Sequence, residues 1–280
     1  MNSPLDHVVV AAGRLLSPAA PHVLALLSDP DPEIRRMRKA VDIDPVLTIK
    51  IVDFANQSFY SRRVPVASSQ RALTRLGMAT TQEVLTKLMM EGATQKAGGA
   101  LASHMWAKTF DVAILSRLLA RTSGKVDPAL AYTAGLTHSI GQLGLISVYQ
   151  DRYAKMWTEA ASSTQLARAE RKAFGFDHAQ VGAGVLRRLN VPESLHRAVE
   201  RQYRGSLAKR PWSEVAIPLA STLQLAQLLL FPDGSRLRDP DWIAAQPLSV
   251  RLGLNESTVE DLGDRFESAL MNTLAEAEAA

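Results

Sequence analysis

Asp44-Pro45-Val46-Leu47-Thr48-Ile49-Lys50-Ile51-Val52-Asp53-Phe54-Ala55-Asn56-Gln57-Ser58 is the stretch whose reading decides the fold. Aspartate followed by proline marks a helix start, because the carboxylate can cap the first amides and proline's fixed φ suits the first turn. Leu47, Ile51, Phe54 and Ala55 then recur at spacings of three and four. That period lines one side of a helix until Asn56-Gln57-Ser58 interrupts it. Upstream, Asp31-Pro32 opens a helix in the same way: Ile34, Met37 and Val41 share a face, and Arg35, Arg36, Arg38 and Lys39 fill the other. Downstream, the spacing predicts short helices over 68–76 and 80–90, separated at Gly77. Longer ones follow over 101–121, 128–140, 142–157, 163–174, 177–189, 192–203, 213–230 and 256–275, with a Pro/Gly/Asp turn over 231–240. Asp177 and Gln180 stand at capping-box spacing. Strict alternation over a strand's length is almost absent, so the fold class is all-α.

Glycines at 92, 98 and 99 make 92–100 the candidate boundary between two helical lobes. The expected organisation is one lobe over residues 1–95, a second over 96–212, and carboxy-terminal helices over 213–280 packed on the second. The chain of 280 residues is 46% hydrophobic and 21% charged, ordinary for a soluble globular protein with a sizeable core. It has no cysteine, which excludes disulfides, thiolate metal sites and a cysteine nucleophile, and which suits the cytoplasm. Residues 1–16 show no signal-peptide pattern, and no segment reaches the ~18 apolar residues of a spanning helix, so no membrane insertion is expected.

A formal net charge of +4 is a modest excess that does not by itself imply nucleic acid. The stretch 187–210 is nonetheless rich in arginine. Arg197, Arg201 and Arg204 lie at spacings of three and four, share a helix face, and are the candidates for binding an acidic partner or a phosphate-bearing ligand. Phosphate loops, GxSxG elbows and HExxH helices are absent. Gly182-Ala183-Gly184 falls inside a helical pattern, where small residues permit close helix packing. No catalytic residue and no cofactor is assigned. His138, at the end of an apolar helix, and His178, at the start of another, read as hydrogen-bonded structural histidines or as remnants of a site.

The order and spacing of several motifs resemble the HDOD family, the HD-related output domains of bacterial signalling. Asp44-Pro45 with Leu47-Thr48, Phe54-Ala55-Asn56-Gln57-Ser58, Val64-Pro65-Val66, Ala72-Leu73 and Leu76-Gly77 look like its amino-terminal landmarks. Trp106, Ala113, Gly135-Leu136-Thr137-His138-Ser139-Ile140-Gly141, Phe174-Gly175, Asp177-His178, Val181-Gly182 and Val191-Pro192 look like the rest. The resemblance covers about residues 10–205. It implies two helical lobes, the second related to metal-dependent HD phosphohydrolases, in which a His-Asp pair and further histidines or aspartates hold divalent ions. Here the pair reads His138-Ser139, the early-helix position falls near Lys108, and the region after Pro192 reads Glu200-Arg201-Gln202-Tyr203. A neutral hydroxyl cannot replace a bridging carboxylate, and an ammonium repels a cation. The metal site is therefore expected to be dismantled, with His138, Ser139, His178 and Lys108 as vestigial positions. His138 and His178 then either tie helices together or line a residual small-ligand pocket.

The function this implies is a non-catalytic cytoplasmic adaptor that binds other signalling proteins. The family's company suggests enzymes or sensors of cyclic dinucleotides, or two-component proteins. The alternatives are a weak metal-dependent phosphohydrolase, or a nucleotide- or nucleic-acid-binding module using the basic 187–210 region near the old phosphate site. Nucleic acid is the less expected partner.

Overall fold

The computed structural model describes residues 3–26, 33–57, 65–203, 207–213, 216–230, 243–244 and 246–278, with side chains described as far as 269. The expected Asp31-Pro32 start, Ser58, Val64, Arg204 and the turn over 231–240 lie outside the described residues. The fold is all-α. Its helices are α1 (Pro4–Leu15), α2 (Ala20–Ala25), α3 (Ile34–Val41), α4 (Pro45–Asn56), α5 (Ser69–Leu76), α6 (Met78–Ala97), α7 (Gly99–Ser123) and α8 (Pro128–Thr137). They continue as α9 (Ile140–Glu159), α10 (Ser163–Phe174), α11 (His178–Arg188), α12 (Glu193–Arg201), α13 (Ile217–Leu229), α14 (Pro247–Leu252) and α15 (Glu256–Glu278).

The local rules hold where the sequence is explicit. Asp44 caps α4 by accepting from the amides of Val46 at 2.9 Å and Leu47 at 3.2 Å, and Ser17 Oγ donates to its other oxygen at 2.6 Å. Leu47, Ile51 and Ala55 form the buried stripe of α4. On α3, Met37, Ala40 and Val41 are buried while Arg35, Arg36 and Lys39 face solvent. At α11 the capping box is complete: Asp177 accepts from Gln180 N–H at 2.9 Å, and Gln180 accepts from Asp177 N–H at 3.1 Å.

Helices α2 to α6 pack on one another, and α7 to α13 form a second group in which α7 and α8 share the most extensive contact. Two boundaries differ from the sequence expectation. Helix α6 runs unbroken through Gly92 to Ala97, so the break narrows to Gly98 and Gly99, whose φ of 73° and 79° only glycine adopts without strain. Helix α1, capped by Ser3, packs against α9 and α11, so the first helix joins the second group rather than the lobe expected over 1–95. One continuous buried cluster, from Val8 to Phe266, underlies both groups.

Close helix crossings shape the second group. A Cβ built on Gly135 would stand 2.3 Å from Ala113 Cα, and one on Gly141 would stand 1.9 Å from the His178 carbonyl oxygen and 2.8 Å from Gly182 N. Both obstacles are backbone, which cannot swing away. Gly184 meets Val9 of α1 in the same manner, through side-chain methyls. Gly141→Ala is expected to cost at least about 3 kcal/mol, read by chemical denaturation, because it forces α9 off α11. Gly92→Ala, whose Cβ meets nothing within 4 Å inside α6, is the contrasting control, expected to stabilise by up to about 1 kcal/mol.

Candidate functional site

Helices α7 to α11, α13 and the residues just after α12 bring a set of polar side chains into the core. The centre is Glu170 on α10, fully buried. Its carboxylate accepts from His178 Nδ1 at 2.7 and 2.9 Å, from the His178 backbone N–H at 2.8 Å and from the Tyr153 hydroxyl at 2.7 Å. The backbone donor is the first residue of α11, so the carboxylate also sits where a helix favours negative charge. Burial and the adjacent Glu170 push the Tyr153 hydroxyl's pKa far up, so it stays a donor. Asp177, which caps α11, is itself bonded to Arg171 of α10.

From His178 the network continues outward. The Tyr203 hydroxyl lies 3.1 Å from His178 Nε2 and donates to Gln227 Oε1 at 2.6 Å. Gln227 Nε2 donates to Gln202 Oε1 at 2.7 Å, and Gln202 Nε2 donates to the carbonyls of Val199 at 3.0 Å and His138 at 3.4 Å. Those carbonyls can only accept, so the direction of the chain is set from Tyr203 to the backbone. His178 Nε2 thus meets an acceptor in Tyr203 and, at 3.3 Å, a donor in the Gln142 amide. The Glu170 carboxylate fixes a proton on Nδ1, so Nε2 of the neutral ring accepts from the Gln142 amide.

His138 and Ser139 occupy the turn between α8 and α9, both buried. Ser139 Oγ bonds Thr109 Oγ1 at 2.7 Å, and Thr109 in turn bonds the Met105 carbonyl. His138 Nδ1 lies 2.6 Å from the Gly135 carbonyl, an acceptor that requires the proton on that nitrogen. Its Nε2 has no hydrogen bond among the described residues and borders a cavity of about 270 Å³ shared with Lys108, Gln142 and Trp157. Burial pulls the imidazole down to about 4, opposed by the bond to Gly135, with His178 and Lys108 pulling the same way as burial.

This donor set does not fit the divalent centre that the HD relationship implies. Both nitrogens of His178 are engaged by protein, Ser139 offers a neutral hydroxyl already bonded to Thr109, and Lys108 lines the same cavity. Among the described residues no group of three histidines or carboxylates stands together. A catalytic metal needs about three protein ligands. Sequence reasoning located His138, Ser139, His178 and Lys108 but missed Glu170, Tyr153, Thr109 and Gln227. Only a polar residue inside an apolar stripe hinted at them.

The basic candidates lie elsewhere. Arg197 and Arg201 line a separate cavity of about 370 Å³ with Arg187, Arg210, His196 and Glu200. Arg197 pairs with Glu193 at 2.5 Å and Arg187 with Glu200 at 3.7 Å. This cavity shares no lining residue with the one at His138. A further cavity of about 540 Å³ lies within the first group of helices, bordered by Gly92 and Lys96 on α6 and by Asp44 and Val46 at the start of α4. No helix among the described residues is long and apolar enough to cross a membrane.

The fold and site together define a two-group helical protein with an HD-like histidine pair and, among the described residues, no metal donor set. The HDOD domain family profile matches residues 15–204, and the chain belongs to that family. Over 214 residues it is 22% identical to an uncharacterized protein of Treponema pallidum (strain Nichols), spanning 74% of this chain and 40% of that one. The matched stretch therefore spans less than half of that relative's length. An HDOD domain protein of unknown function from Geobacter sulfurreducens superposes with a TM-score of 0.71 at 21% identity, covering 98% of this chain and 99% of that one. A Marinobacter aquaeolei VT8 protein named for signal transduction superposes at 0.75 and 20% identity, over 99% of this chain and 65% of that one. A Shewanella amazonensis SB2B protein named as a phosphohydrolase superposes at 0.64 and 24% identity, covering 93% and 96%. These likenesses establish the shared fold.

One buried group and one half-buried group make stability depend on pH in opposite senses. His138 is lowered from 6.5 to about 4, so between those values the unfolded chain binds more protons and stability is lost as pH falls. Asp111 on α7 is raised by burial from 3.8 to about 7, so over that range the folded chain binds more protons and stability is lost as pH rises. Unfolding between pH 4 and 7 is thus expected to look flat. His138→Asn should remove the acid-side loss, up to about 3 kcal/mol by linkage. Asp111→Asn should remove the opposing loss, and denaturation of each variant across that range checks both.

Proposed function

We propose that the protein is a non-catalytic, cytoplasmic regulatory module of bacterial signal transduction that works by binding other signalling proteins. The observation that carries the reading is the closure of the HD-like site on itself: Ser139 is bonded to Thr109 and His178 to Glu170, which leaves His138 as the sole open donor of the pair. Membership of the HDOD family supports it, as does the fold shared with the Marinobacter protein named for signal transduction. Partners that make, break or sense cyclic dinucleotides, or two-component proteins, are suggested by the family's company and by no residue of this chain. A metal phosphohydrolase of the HD type would need an aspartate where Ser139 stands and a histidine near Lys108.

Elemental analysis after loading with manganese, iron or zinc is expected to find less than one ion per chain, with no hydrolysis of a generic phosphodiester. One tightly held ion together with turnover abolished in His138→Ala would overturn the reading. The docking face favoured by electrostatics is the arginine cavity, because Arg187, Arg197, Arg201 and Arg210 converge there from α11, α12 and beyond. Charge reversal of Arg197 and Arg201 to glutamate is expected to weaken the complex captured by cross-linking in the host by roughly ten-fold or more, as for charges that steer association, while the melting temperature stays put. Undiminished capture would place the partner on another face.

A further inference from the structure

The cavity beside His138 carries chemistry that neither metal binding nor partner docking uses. Its inner wall is an imidazole only 5% exposed, whose Nδ1 is committed to the Gly135 carbonyl and whose Nε2 is an open acceptor. Nothing among the described residues donates to that nitrogen, so a donor entering the cavity meets an unused acceptor. Lys108 supplies positive charge at the rim. Ser162 and Ser163 bring the start of α10 to the same wall. There Ser162 caps the Gln165 amide at 3.1 Å, leaving the amides of Ser163 and Thr164 as first-turn N–H groups without an intrahelical partner. Lys108, Ser162 and Ser163 also border a small adjoining cavity of about 50 Å³ that reaches Tyr203 and Gln227. The outer wall is an aromatic pair, His104 and Trp157, in edge-to-face contact with centroids 5.4 Å apart.

These features sort by chemistry. A neutral imidazole nitrogen takes an N–H or O–H donor, an ammonium beside a helix start takes an anion, and an aromatic wall takes a flat ring. At about 270 Å³ the cavity falls just under the range of about 300–1,000 Å³ for drug-sized ligands, which sets the ligand at small-metabolite size. We propose that the His138 cavity is a binding site for a small flat-ring anion bearing an N–H or O–H donor, its anionic group at Lys108 and the start of α10 and its donor at His138 Nε2. A nucleoside monophosphate and a hydroxylated aromatic acid share this chemistry. The proposal goes beyond the partner reading, since binding is read here without metal and without a partner protein, and its failure leaves that reading untouched.

Titration calorimetry of the full chain with guanosine monophosphate, 4-hydroxybenzoate and inorganic phosphate tests it. Saturable one-to-one binding of the nucleotide or of the aromatic acid, tighter than that of phosphate, is expected, and which of the two binds identifies the source of the anion. His138→Asn keeps a side-chain amide to bond Gly135 but removes the Nε2 acceptor, and Lys108→Gln removes the charge. Each is expected to weaken binding by roughly ten-fold, as for one hydrogen bond or ion contact. Nitrogen-15 shifts of the His138 ring should show Nε2 accepting a hydrogen bond only with ligand present, a readout independent of fold stability. No saturable binding of any of the three at about 1 mM, the affinity of a very weak site, overturns the proposal. So does binding that both variants leave intact, or phosphate binding as tightly as the ring-bearing anions.

Discussion

Everything in the second group of helices is arranged around one buried carboxylate. Glu170 has no solvent to stabilise its charge, and a carboxylate in a core is tolerated only when its oxygens are filled by donors. It draws those donors from three places: the Tyr153 hydroxyl of α9, the His178 ring, and the first amide of α11. Removing any one would leave a charged oxygen short of a partner, so α9, α10 and α11 are held to one mutual geometry. Apolar packing alone would tolerate small slides between these helices. The hydrogen bonds, being directional, do not.

That geometry settles what the histidines can do. His178 is consumed: one nitrogen faces Glu170, the other faces Tyr203 and Gln142. His138, one helix junction away, is anchored by its own helix carbonyl and presents its second nitrogen to a cavity. The pair that would share a metal in a catalytic relative has thus divided its labour between holding helices and facing a pocket. Thr109 plays a matching part, because its bond to Ser139 occupies the position where a metal-bridging carboxylate would act. The chain from Tyr203 through Gln227 and Gln202 then ties α12 and α13 back to the His138 carbonyl, closing the loop of contacts.

The amino acids alone determined the helical class, since spacings of three and four with Asp-Pro and capping-box starts leave little alternative, and α4, α10 and α11 fall where those signals put them. They also raised the expectation of a dismantled metal set, because Ser139 and Lys108 stand where the HD relationship would put metal ligands. Tertiary structure decided the rest. A period places a residue on a face but does not say which face meets which, so Glu170 reads as one more charged residue on a polar helix until α11 packs beside it. The same gap hid the placement of α1 against α9 and α11, and it hid the separation of the arginine cavity from the histidine cavity. Hydrogen bonds between residues distant in sequence, such as Thr109 with Ser139 and Tyr203 with Gln227, arise only once several helices are docked together, and local sequence carries no trace of that docking.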